Sequence, residues 1–335
     1  MLNRHRIERL LVARRFIYKC LQKNTKTCPK CNKNNVQKRG IRRGIIRYFC
    51  NDCSTSFSSI RRPQNLQEII FKKYVYKRQI LKNLAEEYGR SIPWIRQQIL
   101  DYETPEKVHN PRTVVLVCDA TFYGKRSDKL GTLVFKDITQ SEVLIWKHIE
   151  SETIFDYRQL LQTLLDLGYT ILAIIIDGKR GLYKAFKDFP VQMCHFHQRK
   201  TINRYLTRNP RLEASKDLQK IMYRLTTTTQ AKFTEKLDIW YIEYKDFLDE
   251  KSISSITGKE QFTHPRIRSA YKSLLTNLPY LFTYKNEKDI VIHNTTNALD
   301  GGVFSPMKKL IKIHNGFTKN LKIKMVDDYL VSYKK

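Results

Sequence analysis

Two apolar runs that each lead into an aspartate constrain the fold of this chain most strongly. Residues 114–118 are followed by Asp119, and residues 171–176 by Asp177. Runs without polar alternation are typical of strands buried on both faces of a sheet, and an isolated buried carboxylate is costly unless it pairs or binds a metal. If the two strands are neighbours, their ends bring both carboxylates to one place. For either aspartate alone, a turn or a helix N-cap is the common alternative.

The region around these runs has a mixed α/β pattern. Strand-like runs at residues 114–117, 131–135 and 143–146 are followed by a helical stretch at 153–168 and the strand 170–176. Three strands, a helix and another buried strand predict an α/β fold with an RNase H-like mixed sheet. Residues 198–285 are predicted to be mainly helical, without a strand pattern. Residues 294–334 are predicted to form two helices broken near positions 315 and 316.

The charge of the chain predicts a polyanionic partner. It contains 62 Lys and Arg against 32 Asp and Glu, a net charge of +30, and residues 1–100 account for +19 of it. The partner is then nucleic acid or an anionic membrane surface. No apolar run is long enough to span a bilayer, and the basic N-terminus has no signal-peptide core. We therefore predict no membrane association and a DNA partner. An AT-rich genome would enrich lysine everywhere, but it explains the clustered arginines poorly.

Four of the seven cysteines form two Cys-x-x-Cys pairs in the pattern C-x2-C-x18-C-x2-C: Cys28, Cys31, Cys50 and Cys53. Two such knuckles supply the tetrahedron of thiolates that Zn²⁺ prefers, and four protein ligands make the zinc structural. A redox dithiol is the weaker alternative. Between the pairs, residues 37–40 and 45–49 are predicted to form the hairpin of a zinc ribbon. Its arginines are predicted to contact DNA phosphates: Arg39, Arg42, Arg43 and Arg47.

Residues 77–100 have the pattern of a helix-turn-helix. Gly89 permits the turn and Ser91 can cap the second helix. The side chains predicted to pack inward are Ile80, Leu84, Ala85, Ile92, Ile95 and Leu100. Arg96 and Gln97, with Trp94 and Gln98, are then available to a major groove. A plain helical hairpin is nearly as good an interpretation of this segment alone.

Three later motifs resemble the Mutator-type cut-and-paste transposases of bacterial insertion sequences. They are D-G-K-R-G-L at 177–182, C-H-F-H at 194–197 and T-T-N-A-L-D at 295–300. In that family the second catalytic Asp opens a D-G-x-x-G-L segment, a C-x2-H pair follows, and a T-N-x-x-E motif supplies the third acid. The resemblance covers about residues 112–335, and some members also carry an N-terminal zinc ribbon and helix-turn-helix.

The resemblance implies that Asp119, Asp177 and Asp300 are catalytic and hold two Mg²⁺ or Mn²⁺ ions. Asp300 stands where the family usually has Glu. The shorter side chain is either compensated by a backbone shift at residues 301–302 or marks a weakened element. Cys194 and His197 match the C-x2-H pair, which either orients the active site or donor DNA end or is simply a packed thiol and a satisfied histidine. Outside these motifs, Trp240 in the helical insertion is predicted to be a core residue. Asp327 and Asp328 are predicted to lie on a solvated helix face.

The predicted organisation has five parts: an N-terminal helix and zinc ribbon (1–60), a helix-turn-helix region (61–102), the first part of the catalytic core (112–197), a helical insertion (198–290) and a C-terminal part with the third acid (291–335). The resemblance implies phosphodiester hydrolysis at element ends and 3′-OH transfer into target DNA. The implied partners are double-stranded terminal inverted repeats, target DNA and a second copy of the chain, in the bacterial cytoplasm at the nucleoid. A decayed transposase that only binds DNA, and an RNase H-type nuclease or junction resolvase, remain alternatives.

Overall fold

The computed structural model describes residues 26–42, 45–58, 65–254 and 258–333, with the side chain of Arg126 excepted. The helix predicted for residues 1–23 and the predicted DNA contact Arg43 lie outside these ranges. The chain divides into two compact units, Met1–Ile70 and Phe71–Lys335. Among the described residues, no helix combines the length and the apolarity needed to cross a bilayer. The finer five-part division stays a prediction.

The first unit is built on a three-stranded antiparallel sheet. Strands β1 (Val36–Arg42) and β2 (Ile45–Cys50) form the predicted hairpin, and β3 (Ser56–Ser58), which was not predicted, pairs with the other edge of β2. Nearly all side chains of β1 are exposed. A sheet of this size that buries so little apolar surface is marginal by itself, so the unit needs another source of stability.

Three short helices follow: α1 (Leu66–Val75), α2 (Leu81–Tyr88) and α3 (Ile92–Asp101). Between α2 and α3, Gly89 has a φ of 58°, a left-handed conformation that glycine adopts without the cost a Cβ would add. The Ser91 hydroxyl then accepts from the backbone N–H of Trp94 at 3.4 Å and caps α3. Both features are those predicted for the helix-turn-helix.

The buried side of this helix pair differs in part from the prediction. Leu84, Ala85 and Ile95 are buried as expected. Ile80, Ile92 and Leu100 are instead 57%, 38% and 54% exposed, and Ile99 is buried in place of Leu100. Residues four apart on a helix share a face, so Ile95 determines that Ile99 points inward, whereas Leu100 lies about 100° further round.

The second unit is organised around a five-stranded mixed sheet of order β6-β5-β4-β7-β8. Its strands are β4 (Thr113–Phe122), β5 (Gly131–Asp137), β6 (Glu142–Ile149), β7 (Thr170–Ile176) and β8 (Val191–Met193). The central strand β4 is antiparallel to β5 and parallel to β7, and β7 is parallel to β8. This is the α/β fold with an RNase H-like mixed sheet that the sequence predicted.

One face of the sheet packs against helix α4 (Ile154–Asp166). The core on this face includes Leu116 and Cys118 of β4 and Tyr157 and Leu164 of α4. Because successive side chains of a strand point to opposite faces, Asp119 lies on the face away from α4. The residues that pack on this second face are therefore the neighbours of the Asp119 side chain.

The stretch between β7 and the C-terminal region is mostly helical and has a core of its own. Its helices are α5 (Leu182–Ala185), α6 (His195–Leu206), α7 (Glu213–Tyr223), α8 (Gln230–Asp249), α9 (Pro265–Leu281) and α10 (Thr283–Asn286). Trp240 is buried in this core, as predicted, and its indole N–H donates to the Ala214 carbonyl at 2.9 Å.

This insertion is not all-helical, which corrects the prediction. Strands β9 (Lys251–Ile253) and β10 (Glu260–Phe262) form an antiparallel pair. Every residue of both strands is exposed. A strand without a buried face lacks the alternation of apolar and polar residues from which strands are predicted, so this pair could not be predicted from the sequence.

The C-terminal segment covers the face of the sheet that carries Asp119. It consists of α11 (Asn297–Leu299), a π-helical turn (Asp300–Phe304), α12 (Ser305–Ile313) and α13 (Lys319–Val331). The break between α12 and α13 contains positions 315 and 316, as predicted. Lys136 of β5 is buried, and its ammonium group donates to the Ala298 carbonyl at 3.0 Å. This bond anchors α11, and with it the neighbouring Asp300, to the sheet.

Asp327 and Asp328 do not lie on a solvated face, contrary to the prediction. The Asp328 carboxylate accepts from the hydroxyls of Tyr76 and Tyr102 at 2.6 and 2.5 Å. Asp327 accepts from the indole N–H of Trp146 at 2.7 Å and lies 2.7 Å from Nε2 of His148. These partners are far away in the sequence, so local pattern could not reveal them. Helix α13 therefore bonds to strand β6 through one aspartate and to the α1–α3 region through the next.

Candidate metal centres

The four cysteines of the first unit converge on one point. Their Sγ atoms all lie within 4.8 Å of one another, and the Cys28–Cys53 and Cys31–Cys50 pairs are each 3.5 Å apart. A tetrahedral zinc with Zn–S bonds of about 2.3 Å has sulfur–sulfur edges of about 3.8 Å, so the cluster has the size that zinc requires. The thiols form no disulfide.

The protons on this cluster also indicate a cation site. Contact with the Thr55 hydroxyl lowers the pKa of Cys53 to about 6. Although the backbone N–H of Lys33 opposes it, burial and the three other thiols raise the pKa of Cys31 to about 12. Cys31 and Cys53 therefore differ in how readily they ionise, and a bound metal, which takes thiolates as ligands, would release the protons of both.

Of the side chains predicted to contact DNA, the described arginines and Gln97 are exposed, whereas Trp94 and Gln98 are half-buried. Arg39, Arg42 and Arg47 are exposed on β1 and β2, and the Arg39 guanidinium lies 4.0 Å from the centroid of the Phe49 ring. Arg96 and Gln97 are exposed on α3, where the Gln97 amide donates to Asp101 at 2.6 Å. Their contact with DNA stays a prediction.

In the second unit, Asp119 lies inside strand β4 rather than at its end. β4 continues to Phe122 along β5, but its pairing with β7 runs only as far as Val117 opposite Ile175. Asp119 is two residues beyond that pair and only 6% exposed. Burial first, and the charges of Asp177 and Asp300 second, raise the pKa of Asp119 well above its usual range.

Asp177 directly follows the end of the neighbouring strand β7 and, like Asp119, is two residues beyond the Val117–Ile175 pair. Its carboxylate accepts from the backbone N–H of Lys179 at 2.8 Å, and burial nonetheless raises its pKa. The Lys179 ammonium group pairs with Glu152 at 3.1 Å, and Glu152 also accepts from the Tyr157 hydroxyl at 2.7 Å. Glu152, whose charge acts on Asp177, was not singled out in the sequence because it belongs to no motif.

Asp300 reaches Asp119 from the opposite direction. One carboxylate oxygen of each lies within 4.8 Å of the other and of a ring nitrogen of His197. Asp300 begins the π-helical turn, an unusual geometry that is frequent at functional sites. The turn contains Gly301 and Gly302, the positions where a compensating backbone shift was expected. Asp177 is outside this group of three, although its charge raises the pKa of Asp119.

The C-x2-H pair is connected to the third acid through Thr296, which is fully buried. The Thr296 hydroxyl donates to Asp300 at 3.0 Å and lies 3.4 Å from Nδ1 of His197. Its backbone N–H donates to the Cys194 sulfur at 3.3 Å. Thr296 belongs to the T-T-N-A-L-D segment, but no separate role was predicted for it, since buried threonines are common.

Electrostatics around this pair favour a positive charge on the histidine. Contact with Cys194, and then the charges of Cys194, Asp119 and Asp177, raise the pKa of His197 to about 9 although burial opposes it. Burial likewise opposes ionisation of Cys194, but contacts with His197 and Thr296 outweigh it and lower the thiol pKa.

The acidic group is suited to a divalent cation by its donors and because no Lys or Arg of the described residues forms an ion pair with its aspartates. Within the described part of the chain, no Lys or Arg ion pair includes Asp119, Asp177 or Asp300. Carboxylate oxygens are the ligands that magnesium and manganese prefer. The residues present therefore fit such ions, and buried carboxylates that no Lys or Arg neutralises would gain from binding them.

Comparison with known proteins adds two likenesses of fold. No protein-family profile matches the chain, and no curated protein sequence matches it. One similar solved structure is a Drosophila P element transposase strand transfer complex, at 10% identity and a TM-score of 0.40, covering 81% of this chain and 93% of that one. Another is a simian T-cell lymphotropic virus intasome in complex with PP2A regulatory subunit B56 gamma, at 11% identity and a TM-score of 0.21, covering 68% of this chain and 71% of that one.

Proposed function

We propose that this chain is a DDE/D-type transposase, of the Mutator type found in bacterial insertion sequences. The observation that carries the proposal is the convergence of Asp119 and Asp300, which are far apart in the sequence, on one metal-sized space. Asp177, directly after the end of the adjacent strand β7, supports it further. The net charge of +30 supports a DNA substrate.

In this proposal Asp119, Asp177 and Asp300 hold two Mg²⁺ or Mn²⁺ ions. Such ions activate an attacking oxygen and stabilise the leaving oxygen of a phosphodiester. Water first cleaves the bond between phosphorus and the 3′ oxygen at the element end, which leaves a 3′-OH and a 5′-phosphate. The 3′-OH then attacks a target phosphodiester in line and displaces the 3′ oxygen of the target strand. Neither step needs a covalent protein intermediate or a nucleotide cofactor.

The remaining parts of the chain are assigned to DNA recognition. A structural zinc on Cys28, Cys31, Cys50 and Cys53 would hold residues 1–60 as a zinc ribbon, with residues 61–102 as a helix-turn-helix. These regions would bind the terminal inverted repeats, and the RNase H-like core of 112–197 and 291–335, with the insertion 198–290, would do the chemistry. Two ends must be held together, so a homodimer or larger assembly is proposed, acting on DNA in the bacterial cytoplasm.

The decisive experiment is a cleavage assay on plasmid DNA that carries the sequences flanking the coding region. We expect Mg²⁺- or Mn²⁺-dependent cutting by the full chain, reduced at least about 10³-fold in Asp119→Asn and Asp177→Asn, because charge stabilisation by the metals is worth several kcal/mol. Both variants should still bind the DNA. Asp188→Asn, which neutralises an exposed aspartate away from these strands' ends, is the matched control and should cut normally.

The same assay separates the proposal from its alternatives. Tight binding without metal-dependent cutting would identify a decayed transposase. Cutting without joining of the 3′ end to a second duplex would identify a nuclease or junction resolvase. Asp300→Glu adds a methylene where Thr296 already bonds the carboxylate at 3.0 Å, so we expect about 10-fold slower cutting. Faster cutting would mean that Asp300 marks a weakened site.

A further inference from the structure

A histidine belongs to the group of side chains that converge between the sheet and the C-terminal segment. His197 lies in the first turn of α6, half-buried, and one of its ring nitrogens is within 4.8 Å of a carboxylate oxygen of both Asp119 and Asp300. The three residues therefore offer one nitrogen and two oxygen donors around a single point. A metal site made of the three aspartates alone gives no role to this histidine nitrogen.

The hydrogen bonds of Thr296 indicate which histidine nitrogen is available. The Thr296 hydroxyl has one proton and donates it to Asp300 at 3.0 Å, whereas its contact with the Cys194 sulfur is longer, at 3.5 Å. The threonine oxygen is then the acceptor for Nδ1–H of His197 at 3.4 Å. Binding of a divalent ion would displace the second proton of the imidazolium, and with Nδ1 still protonated the ring would offer the lone pair of Nε2, the arrangement in which metal-ligating histidines are commonly held by a neighbouring group.

We propose that His197 is a direct ligand of one divalent ion together with Asp119 and Asp300, and that Thr296 positions both His197 and Asp300. The proposal rests on the proposed function and extends its metal site from carboxylates alone to a site with one nitrogen donor. Imidazole suits transition metals better than it suits Mg²⁺, so this ion position should favour Mn²⁺ over Mg²⁺.

The test is pulsed electron paramagnetic resonance on Mn²⁺ bound to the full zinc-loaded chain without DNA. We expect a ¹⁴N modulation from directly bound imidazole, changing to the ¹⁵N pattern when histidine is ¹⁵N-labelled. His197→Gln should abolish the modulation and weaken Mn²⁺ binding about 10-fold or more. His293→Gln, a variant of an exposed histidine near Thr296 in the sequence, should change neither.

The positioning role of Thr296 is tested with two variants of nearly the same size. Thr296→Val removes the hydroxyl, and loss of such a supporting group typically costs 10–100-fold in metal affinity. Thr296→Ser retains the hydroxyl and should restore both the affinity and the ¹⁴N modulation. A merely structural threonine would alter thermal stability in the valine variant without changing the nitrogen coupling of the bound ion.

The outcomes distinguish this inference from the function on which it rests. Mn²⁺ binding that Asp119→Asn abolishes but that carries no nitrogen coupling would overturn the ligand assignment and leave the metal-dependent cleavage proposal standing. Absence of any Asp119-dependent Mn²⁺ binding would overturn both. Unchanged nitrogen coupling in Thr296→Val would overturn the positioning role alone. Zinc content and circular dichroism of each variant establish that it is folded.

Discussion

The cysteine cluster and the acidic cluster are built in opposite ways. The four thiols come from 26 consecutive residues on two tight knuckles, around a sheet that buries little apolar surface. The acids come from two central strands and a C-terminal turn, and a buried sheet core holds them in place. In the first case the metal must stabilise the fold, whereas in the second the fold must hold the metal. The same operation should therefore affect the two regions differently.

The largest expected effect is that of removing zinc. Binding of zinc to such sites is worth roughly 10–16 kcal/mol and is coupled to folding, so chelation should unfold strands β1–β3. Amide hydrogen exchange should show loss of protection in residues 36–58 and unchanged protection in β4, β5 and β7. Cys50→Ser should behave like the chelated protein. Cys118→Ala, at a cysteine of the sheet core, should retain one zinc per chain, and loss of its zinc would contradict the comparison.

A second prediction separates DNA affinity from metal affinity. The double variant Arg39→Gln/Arg47→Gln should weaken DNA binding about 10–30-fold and lower the salt dependence of log K by roughly 2, because each arginine releases counterions from a phosphate. Mn²⁺ affinity should not change. Lys308→Gln/Lys309→Gln makes the same charge change on exposed lysines of α12 and should have a smaller effect on binding measured by fluorescence anisotropy. If both double variants lost the same DNA affinity, the net charge of the chain, and not contact by Arg39 and Arg47, would account for the loss.

A third prediction concerns the dependence of the acidic site on tertiary structure. A Cβ at Gly301 would lie 2.7 Å from the Asn297 carboxamide oxygen, so Gly301→Ala must shift either the Asn297 side chain or the turn that presents Asp300, and we expect the turn to move. We expect about 10-fold weaker Mn²⁺ binding by calorimetry, equivalent to about 1.4 kcal/mol. Gly316→Ala is the control, because a Cβ there meets open space. Unchanged affinity in the Gly301 variant would mean that Asp300 adjusts freely.

The smallest expected effect is on stability without metal. The pKa of Asp119 is raised in the folded chain, so its contribution to stability is fully present below the unfolded pKa and is lost as pH rises through the folded pKa. At neutral pH Asp119 therefore destabilises the second unit, because burial penalises its ionised form. Asp119→Asn should raise the melting temperature in Mg²⁺-free buffer by roughly 2–4 °C, the shift that about 1 kcal/mol produces in a domain of this size. This increase in melting temperature should disappear at pH 3, where Asp119 is protonated. An increase that persists at pH 3 would mean that better packing of the asparagine, and not the loss of charge, stabilises the variant.

The two regions also differ in how far sequence alone predicts them. The thiol cluster follows from spacing, since two knuckles need only a hairpin to meet. Asp119 and Asp177 were singled out because the apolar runs before them predict buried strands, but that these strands are neighbours was only a condition of the prediction. The contact of Asp300 with Asp119 required the resemblance to a known family. The roles of Thr296, Glu152, Asp327 and Asp328 could not be predicted, since each depends on partners brought near by the fold. The strand pair β9–β10 was not predicted because neither strand has a buried face.

Helix α13 gives the second unit a fixed internal distance. Its adjacent aspartates bond on one side to Trp146 and His148 of β6 and on the other to Tyr76 and Tyr102 beside the helix pair. If α3 contacts bases as proposed, these hydrogen bonds keep it at a constant distance from the acidic site. The DNA should then be cut at a constant number of nucleotides from the recognised sequence. Insertions into the DNA between those two points should then be poorly tolerated, while the protein keeps its own spacing.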